Sequence, residues 1–253
     1  MKFSYLKNPF IPEKQVKLML VDGRIPERIV HKLSSLNIDL ILTDECESLS
    51  PSISYHPDIQ LHPIGNKDIV VSPNMYLNIK EKLSEYKFNI ICGNSILRSN
   101  YPEDIAYNVG RIGNLCFHKL THTDPVIKEH LQYNSIKFID TNQGYTKCSM
   151  AIIKKNAIIT SDRGIHNAAL ENDINSLLIS SGYIALHGQN YGFIGGCTGL
   201  IAPGLLAVTG SLKMHPDYAE IKEFLTKHKV EILYLSNQMP IDLGSLIPLL
   251  EEE

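Results

Sequence analysis

The sequence contains no tryptophan, no Cys-x-x-Cys pair and no excess of basic residues. The missing tryptophan excludes no function. A net charge of −3 leaves no basic footprint, which argues against a nucleic-acid partner. No apolar run reaches the roughly 18 residues of a membrane span, so no membrane partner is expected. The start, Met1-Lys2-Phe3-Ser4-Tyr5-Leu6-Lys7, lacks the long apolar stretch of a signal peptide. Five cysteines, an odd number without paired spacing, suit free thiols in a reducing compartment, and the expected location is cytoplasmic. Histidine and cysteine are scattered without ligand spacing, so no metal site is expected. The glycine-rich run Gly192 to Gly199 has neither G-x-G-x-x-G nor a Lys-Ser/Thr ending, so no dinucleotide or Walker site, and no cofactor, is expected.

What is present is repetition. Gln143-Gly144-Tyr145-Thr146-Lys147-Cys148-Ser149-Met150 and Tyr191-Gly192-Phe193-Ile194-Gly195-Gly196-Cys197-Thr198 each place a cysteine after a glycine and an aromatic. Each run leads, some residues later, to an apolar strand, Ala157 to Asp162 and Leu206 to Ser211. Such self-similarity points to a repeat architecture. Three further units precede them. Val16 to Val21, a helix opened by Pro26 and closed by Asn37, and Ile38 to Leu42 read as strand, helix, strand. Tyr55 to His62, Asp68 to Ser72, a helix after Ser72-Pro73 and Phe88 to Cys92 form the second unit. Ile105 to Val109, a turn from Gly110 to Gly113, Asn114 to Lys119, a helix capped at Thr123-Asp124-Pro125 and Ile136 to Ile139 form the third. The fourth runs from Tyr145 to Ile179, and the fifth from Phe193 to Leu235 with a helix after His215-Pro216-Asp217. About 20 residues separate the strand ends flanking each helix, enough for a parallel crossover. Only Ser48 to Ser54 reads as linker-like, and the acidic end Glu251-Glu252-Glu253 reads as a solvated tail.

The expected fold is therefore α/β, one domain over residues 1–253 built of five ββαβ-type repeats. This layout resembles the pentein, or guanidine-group-modifying, superfamily, a five-fold pseudosymmetric α/β propeller with a narrow central channel. Gly195-Gly196-Cys197-Thr198 is similar to that family's glycine-rich strand carrying the nucleophilic cysteine, and His56-Pro57-Asp58 is similar to its His-x-Asp pair. The chain also resembles a bacterial branch to which the likeness attaches no substrate. It departs from the family in placing His-x-Asp in the second unit. It also lacks the tryptophan-arginine-aspartate and glutamate-glycine-glycine motifs.

The resemblance implies a thiolate attacking a guanidine or amidine carbon, an imidazole moving protons, and carboxylates pairing with the cation. Cys197 is the first candidate nucleophile, with Gly195 and Gly196 allowing backbone to approach a ligand closely. Cys148, at the matching position of unit four, is the second. Cys197 is also open to reading as a small buried core residue, and Cys46, Cys92 and Cys116 read as strand or loop fillers. His56 and Asp58, two apart on an expected strand, would share a face as acid/base and cation partner, or form a structural pair. His62 is in phase with them but nearer the hairpin. His187 is the alternative general base, in a loop that could cover a channel mouth. Asn108 and Gln143 are candidate substrate contacts, and Asp162 a helix cap. The implied function is a cysteine-dependent hydrolase or amidinotransferase acting on a small ligand in the central channel. The alternative is a non-catalytic propeller that binds a small molecule or a protein. Self-association into a homo-oligomer is compatible with either.

Overall fold

The computed structural model describes residues 3–253. The chain begins with strands β1 (Phe3–Tyr5) and β2 (Val16–Val21), helix α1 (Glu27–Ser34) and β3 (Asp39–Leu42). A one-turn helix α2 (Pro57–Gln60) then leads into β4 (Leu61–Gly65), β5 (Asp68–Val71), α3 (Tyr76–Lys82) and β6 (Asn89–Cys92). Next come β7 (Gly110–Ile112), β8 (Leu115–His118), α4 (Pro125–Tyr133) and β9 (Lys137–Asp140). Another one-turn helix, α5 (Thr146–Ser149), precedes β10 (Met150–Lys154), β11 (Ala157–Thr160), α6 (Arg163–Leu170) and β12 (Asn175–Leu178). The last elements are β13 (Thr198–Ala202), β14 (Leu205–Val208), α7 (Tyr218–Lys227), β15 (Glu231–Tyr234) and β16 (Ile247–Glu252).

Among the described residues these strands form five small sheets. Four are three-stranded, and in each the middle strand runs antiparallel to the first and parallel to the third. The helix between the parallel pair supplies the crossover such a pair needs. Its inward stripe is fully buried, as with Ile29 and Leu33 of α1 or Ile127 and Leu131 of α4, each worth about 1.5–3 kcal/mol of burial. Asp124 caps α4 by accepting from the N–H groups of Val126 and Ile127, and Asp162 caps α6 through Ile165. Every unit then ends its helix the same way. A left-handed residue stands two positions before the last strand: Asn37, Lys87, Ser135, Asp173 and Lys229, with φ from 55° to 60°. None is glycine, so this device leaves no residue-type signature.

The fifth sheet corrects the reading of the first unit and of the tail. Its order is β1-β16-β2-β3. The C-terminal β16 pairs antiparallel with β2 and supplies the leading strand that unit one lacks in sequence. The acidic end is therefore partly strand: Glu251 and Glu252 belong to β16, and of the three glutamates only Glu252 and Glu253 are exposed. Glu251 is buried and accepts from the backbone N–H groups of Glu13 (2.6 Å) and Lys14 (2.9 Å), while Glu252 pairs with Lys17 at 2.6 Å.

The leading segments also differ from the expected long strands. Residues 57–60 and 146–149 coil into single helical turns, and β13 starts only at Thr198. In unit three, Gly110 is the first strand residue rather than a turn, and the hairpin turns at Gly113-Asn114. The physical reason is that backbone in these leaders bonds across units instead of along a ladder. The Asn108 carbonyl oxygen on the side chain, for example, accepts from the N–H groups of Lys147 and Cys148. The strands β7, β10, β13 and β16 lie beside one another, which brings the ends of these leaders together.

Two buried imidazoles behind the leaders make a stability prediction. His118 donates from Nε2 to the Ile105 carbonyl (3.0 Å) and accepts at Nδ1 from Thr123 (2.7 Å). Burial pushes its pKa down from 6.5 to about 4, and burial pushes His62 in the same direction. Between those values the unfolded chain binds protons that the folded chain refuses, so stability falls as pH falls from 6.5 towards 4. His118 alone accounts for a loss on the order of 3 kcal/mol over that window. Denaturant titrations at pH 7 and pH 4.5 check this, and His118→Gln is expected to flatten the dependence. An unchanged pH slope in that variant would refute the assignment.

Candidate active site

The leaders of units two, three and four, and the segment before β16, each deliver one or two polar groups to the same buried place. From unit two come His56, the residue before α2, and Asp58 within it. From unit three comes Asn108, and from unit four Lys147 and Cys148 on α5. The segment before β16 adds Asp242 and Ser245. All are buried.

Asp58 is the hub. It accepts from the Cys148 thiol (Sγ to the two carboxylate oxygens, 3.3 and 3.2 Å) and from the Ser245 hydroxyl (2.6 Å). The Lys147 ammonium donates to Ser245 Oγ at 2.8 Å and sits 5.0 Å from the centre of the Phe10 ring. A serine thus bridges a buried carboxylate and a buried ammonium. Asn108 donates to the Asp58 carbonyl and to Cys148 Sγ, both at 3.1 Å, so its amide is saturated within the fold. Gly195 and Gly196 complete the packing. A Cβ on Gly195 would overlap the carbonyl oxygens of Lys147, Cys148 and Met150, and one on Gly196 would overlap the Asp242 carboxylate.

Above this layer is a cleft of about 320 Å³. Its polar floor includes His56, Cys148 and Asp242, and Tyr145, Tyr191 and Phe193 form an aromatic wall. One ligand atom from each of the three floor residues lies within 4.8 Å of the others. His56 Nε2 is 3.8 Å from Asp22 and its Nδ1 is 3.9 Å from Asp242, too long for hydrogen bonds. Neither ring nitrogen of this buried histidine has a hydrogen-bond partner among the described residues. Asp22 is already held at two points by Arg24 (3.0 and 2.7 Å). Asp242 accepts from the N–H groups of Phe193 (2.9 Å) and Gly244 (3.0 Å). Burial pushes the Asp242 carboxyl up, which His56 opposes. Burial, then the charges of Asp58 and Asp242, push the Cys148 thiol well up, so it rests as S–H. Burial lowers the Lys147 pKa, against the pull of Asp58.

The arrangement sorts the expected residues. His56, Asp58, Asn108 and Cys148 are brought together. They do not share one strand face, because α2 turns Asp58 toward Cys148 while His56 faces the cleft. Cys197 is fully buried, donates to the Ile194 carbonyl (3.3 Å) and does not line the cleft. Nor do the two cysteines match in register. Thr198 and Met150 pair with the last residues of β14 and β11, so Cys197 precedes its strand pair by one residue and Cys148 by two. Gly195 and Gly196 admit the chain's own backbone and Asp242 rather than a ligand. His187 is exposed in the loop beside the cleft and is not part of its lining. Gln143 is spent on Asp162 (3.2 Å) and the Tyr145 N–H (3.0 Å). The linker-like stretch is ordered cleft wall, with Ser50, Ser52 and Ile53 in the lining.

Asp242, Lys147 and Ser245 were not legible as site residues. Asp242 and Ser245 lead into β16, the strand missing from the sequence-based layout, and Lys147 stands beside a cysteine in a run that reads as strand. Histidine, thiol and carboxylate together are also a donor set that could hold a metal ion such as zinc. Ligand spacing could not reveal it, because the three donors come from different units.

Residues 20–247 match the family described as "Family of unknown function (DUF6873)". No curated protein sequence matches the chain. Its fold is that of the pentein superfamily. Similar solved structures include the inosamine-phosphate amidinotransferase of Streptomyces griseus, with TM-score 0.57 and 12% identity over 92% of this chain and 91% of that one. An amidinotransferase of the saxitoxin pathway of Microseira wollei has TM-score 0.56 and 9% identity over 90% and 91%. An agmatine deiminase of C. jejuni has TM-score 0.54 and 11% identity over 90% of each chain.

Proposed function

Because the chain belongs to DUF6873, a family of unknown function, its chemistry must come from its own site, and we propose that it is a cysteine-dependent enzyme cleaving a C–N bond of a small guanidine or amidine. The single observation that carries this reading is the meeting of Cys148, His56 and Asp242 on the floor of one cleft. We read the five sheets as blades of a propeller, with this cleft at one mouth of its channel.

In this reading Cys148 is the nucleophile, and Asp242, which lines the cleft, replaces Asp58 as the partner of the substrate cation. Arrival of the cation beside the thiol favours the thiolate that the empty site disfavours. Sulfur adds to the planar carbon, the thiol proton passes through His56 to the departing amine, and the C–N bond breaks. The resulting thioester-like amidinium is released by water, with His56 taking its proton, or by an acceptor amine. The two endings correspond to the deiminase and amidinotransferase names among the structural neighbours. The Tyr145, Tyr191 and Phe193 wall suits a flat, delocalised cation.

A second reading, a binding module of the same fold, draws on the neutral, hydrogen-bonded state of Cys148. Chloroacetamidine, a cationic alkylating amidine, separates the two. The enzyme reading expects one adduct, on Cys148 by peptide mass mapping, formed at least tenfold faster than with uncharged chloroacetamide. Equal and slow labelling by both reagents would leave the binding module standing. Agmatine, arginine and inosamine phosphates are the first substrates to assay, by ammonia release and by amidine transfer.

A further inference from the structure

A second buried cation stands at the other end of the same strands. Arg111 lies in β7, one residue from the β7–β8 hairpin, and is 4% exposed. Its one hydrogen bond runs from Nη2 to the Gly113 carbonyl at 3.2 Å, and Nε and Nη1 have no partner. A guanidinium carries five N–H donors in a fixed fork. With only one Nη2 hydrogen used, one complete two-point edge remains open. Among the described residues no carboxylate pairs with it. Burial lowers its pKa only to about 10, so it stays charged near neutral pH. A buried, charged and mostly unpaired fork is costly unless something supplies acceptors.

Arg111 lines a cleft of about 480 Å³ on the face where the β4–β5, β7–β8 and β10–β11 hairpins turn. Lys7 and Lys155 add ammonium groups, and Asn8, Asn114 and Asn134 add amides. Two carboxylates are near and both are engaged. Glu13 pairs with Lys155 at 3.1 Å, and Asp68 accepts from Asn89 at 2.9 Å. The balance around the open fork is positive. Cys148 precedes β10 at the far end, so this cleft is separate from the proposed active site.

We propose that the hairpin-face cleft binds a small oxyanion, a phosphate or carboxylate group, on the open edge of Arg111. That edge matches two oxygens of such a group, the geometry in which arginine binds most strongly. The site stands whether or not Cys148 is catalytic.

Titration calorimetry of the full chain with inorganic phosphate, citrate and chloride tests it. Saturable binding of phosphate or of citrate is expected, and which of the two binds identifies the source of the oxyanion. Arg111→Gln is expected to weaken that binding at least tenfold. If Arg111→Gln fails to fold, Asn114→Asp, which puts a carboxylate on the exposed rim, is expected to weaken binding tenfold while leaving the fold intact. Absence of saturable binding by either oxyanion overturns the proposal. So does binding of chloride alone, or oxyanion binding equally tight in the folded variants.

Discussion

Replacing Cys148 by serine is expected to lower kcat on any amidine substrate by at least about 10⁴-fold, the scale on which loss of a covalent nucleophile is felt. Cys197→Ala is expected to leave kcat within a few fold, because its sulfur bonds the Ile194 carbonyl in the core and does not line the cleft. The pair of variants also separates nucleophile from neighbour, since both thiols are pushed up by burial and both feel Asp242. The pH dependence carries a sign. In the free protein Cys148 is held protonated, so alkylation by an uncharged reagent should keep rising with pH beyond the usual thiol range near 8.5. A cationic amidine supplies the missing positive charge and should reach its full rate at lower pH. Superimposable profiles for the two reagents, or full turnover by Cys148→Ser, would remove Cys148 from the chemistry.

The repeat itself was legible because it is written in hydrophobic periodicity. Apolar runs such as Ile69 to Val71 and Leu206 to Val208 are central strands buried throughout, and the helix stripes between them recur at steady spacing. What periodicity does not encode was lost. Pairing of β16 with β2 joins residues more than 200 positions apart, and Pro248, the second residue of that strand, weakens its local signal. Without β16, the leader containing Asp242 and Ser245 had no unit to belong to. The leaders of units two and four alternate well enough to read as strands. They coil because Asn108, Asp58 and Ser245 offer their backbone and side chains bonds across units that a flat strand could not reach. The family-like glycine motif pointed to Cys197, yet the glycines are explained by contact with Cys148 carbonyl and Asp242. The same close approach is what positions Cys148.

The assignment of Asp58 turns on Lys147, and a double-mutant cycle tests it. Asp58 was expected to hold the substrate cation. Instead the Ser245 hydroxyl links it to an ammonium already inside the protein, and the cleft lining contains Asp242 rather than Asp58. Lys147→Met removes that ammonium and leaves a buried carboxylate beside a thiol, without its cation. The expected cost is about 3–5 kcal/mol, the range for breaking a buried pair from one side. Asp58→Asn should cost a similar amount by stranding Lys147. The double variant Lys147→Met, Asp58→Asn removes both charges and keeps an acceptor for Ser245, so it should recover most of the loss, with a coupling of about 2 kcal/mol or more. Denaturant unfolding of the four proteins at pH 7 gives the cycle. Function should follow a different order. The double variant is expected to fold yet to alkylate faster with the uncharged reagent than the native protein does, because the first carboxylate raising the Cys148 pKa is gone. Additive losses of stability would mean that the serine bridge carries no energy between the two charges, and Asp58 would again be free to meet a substrate.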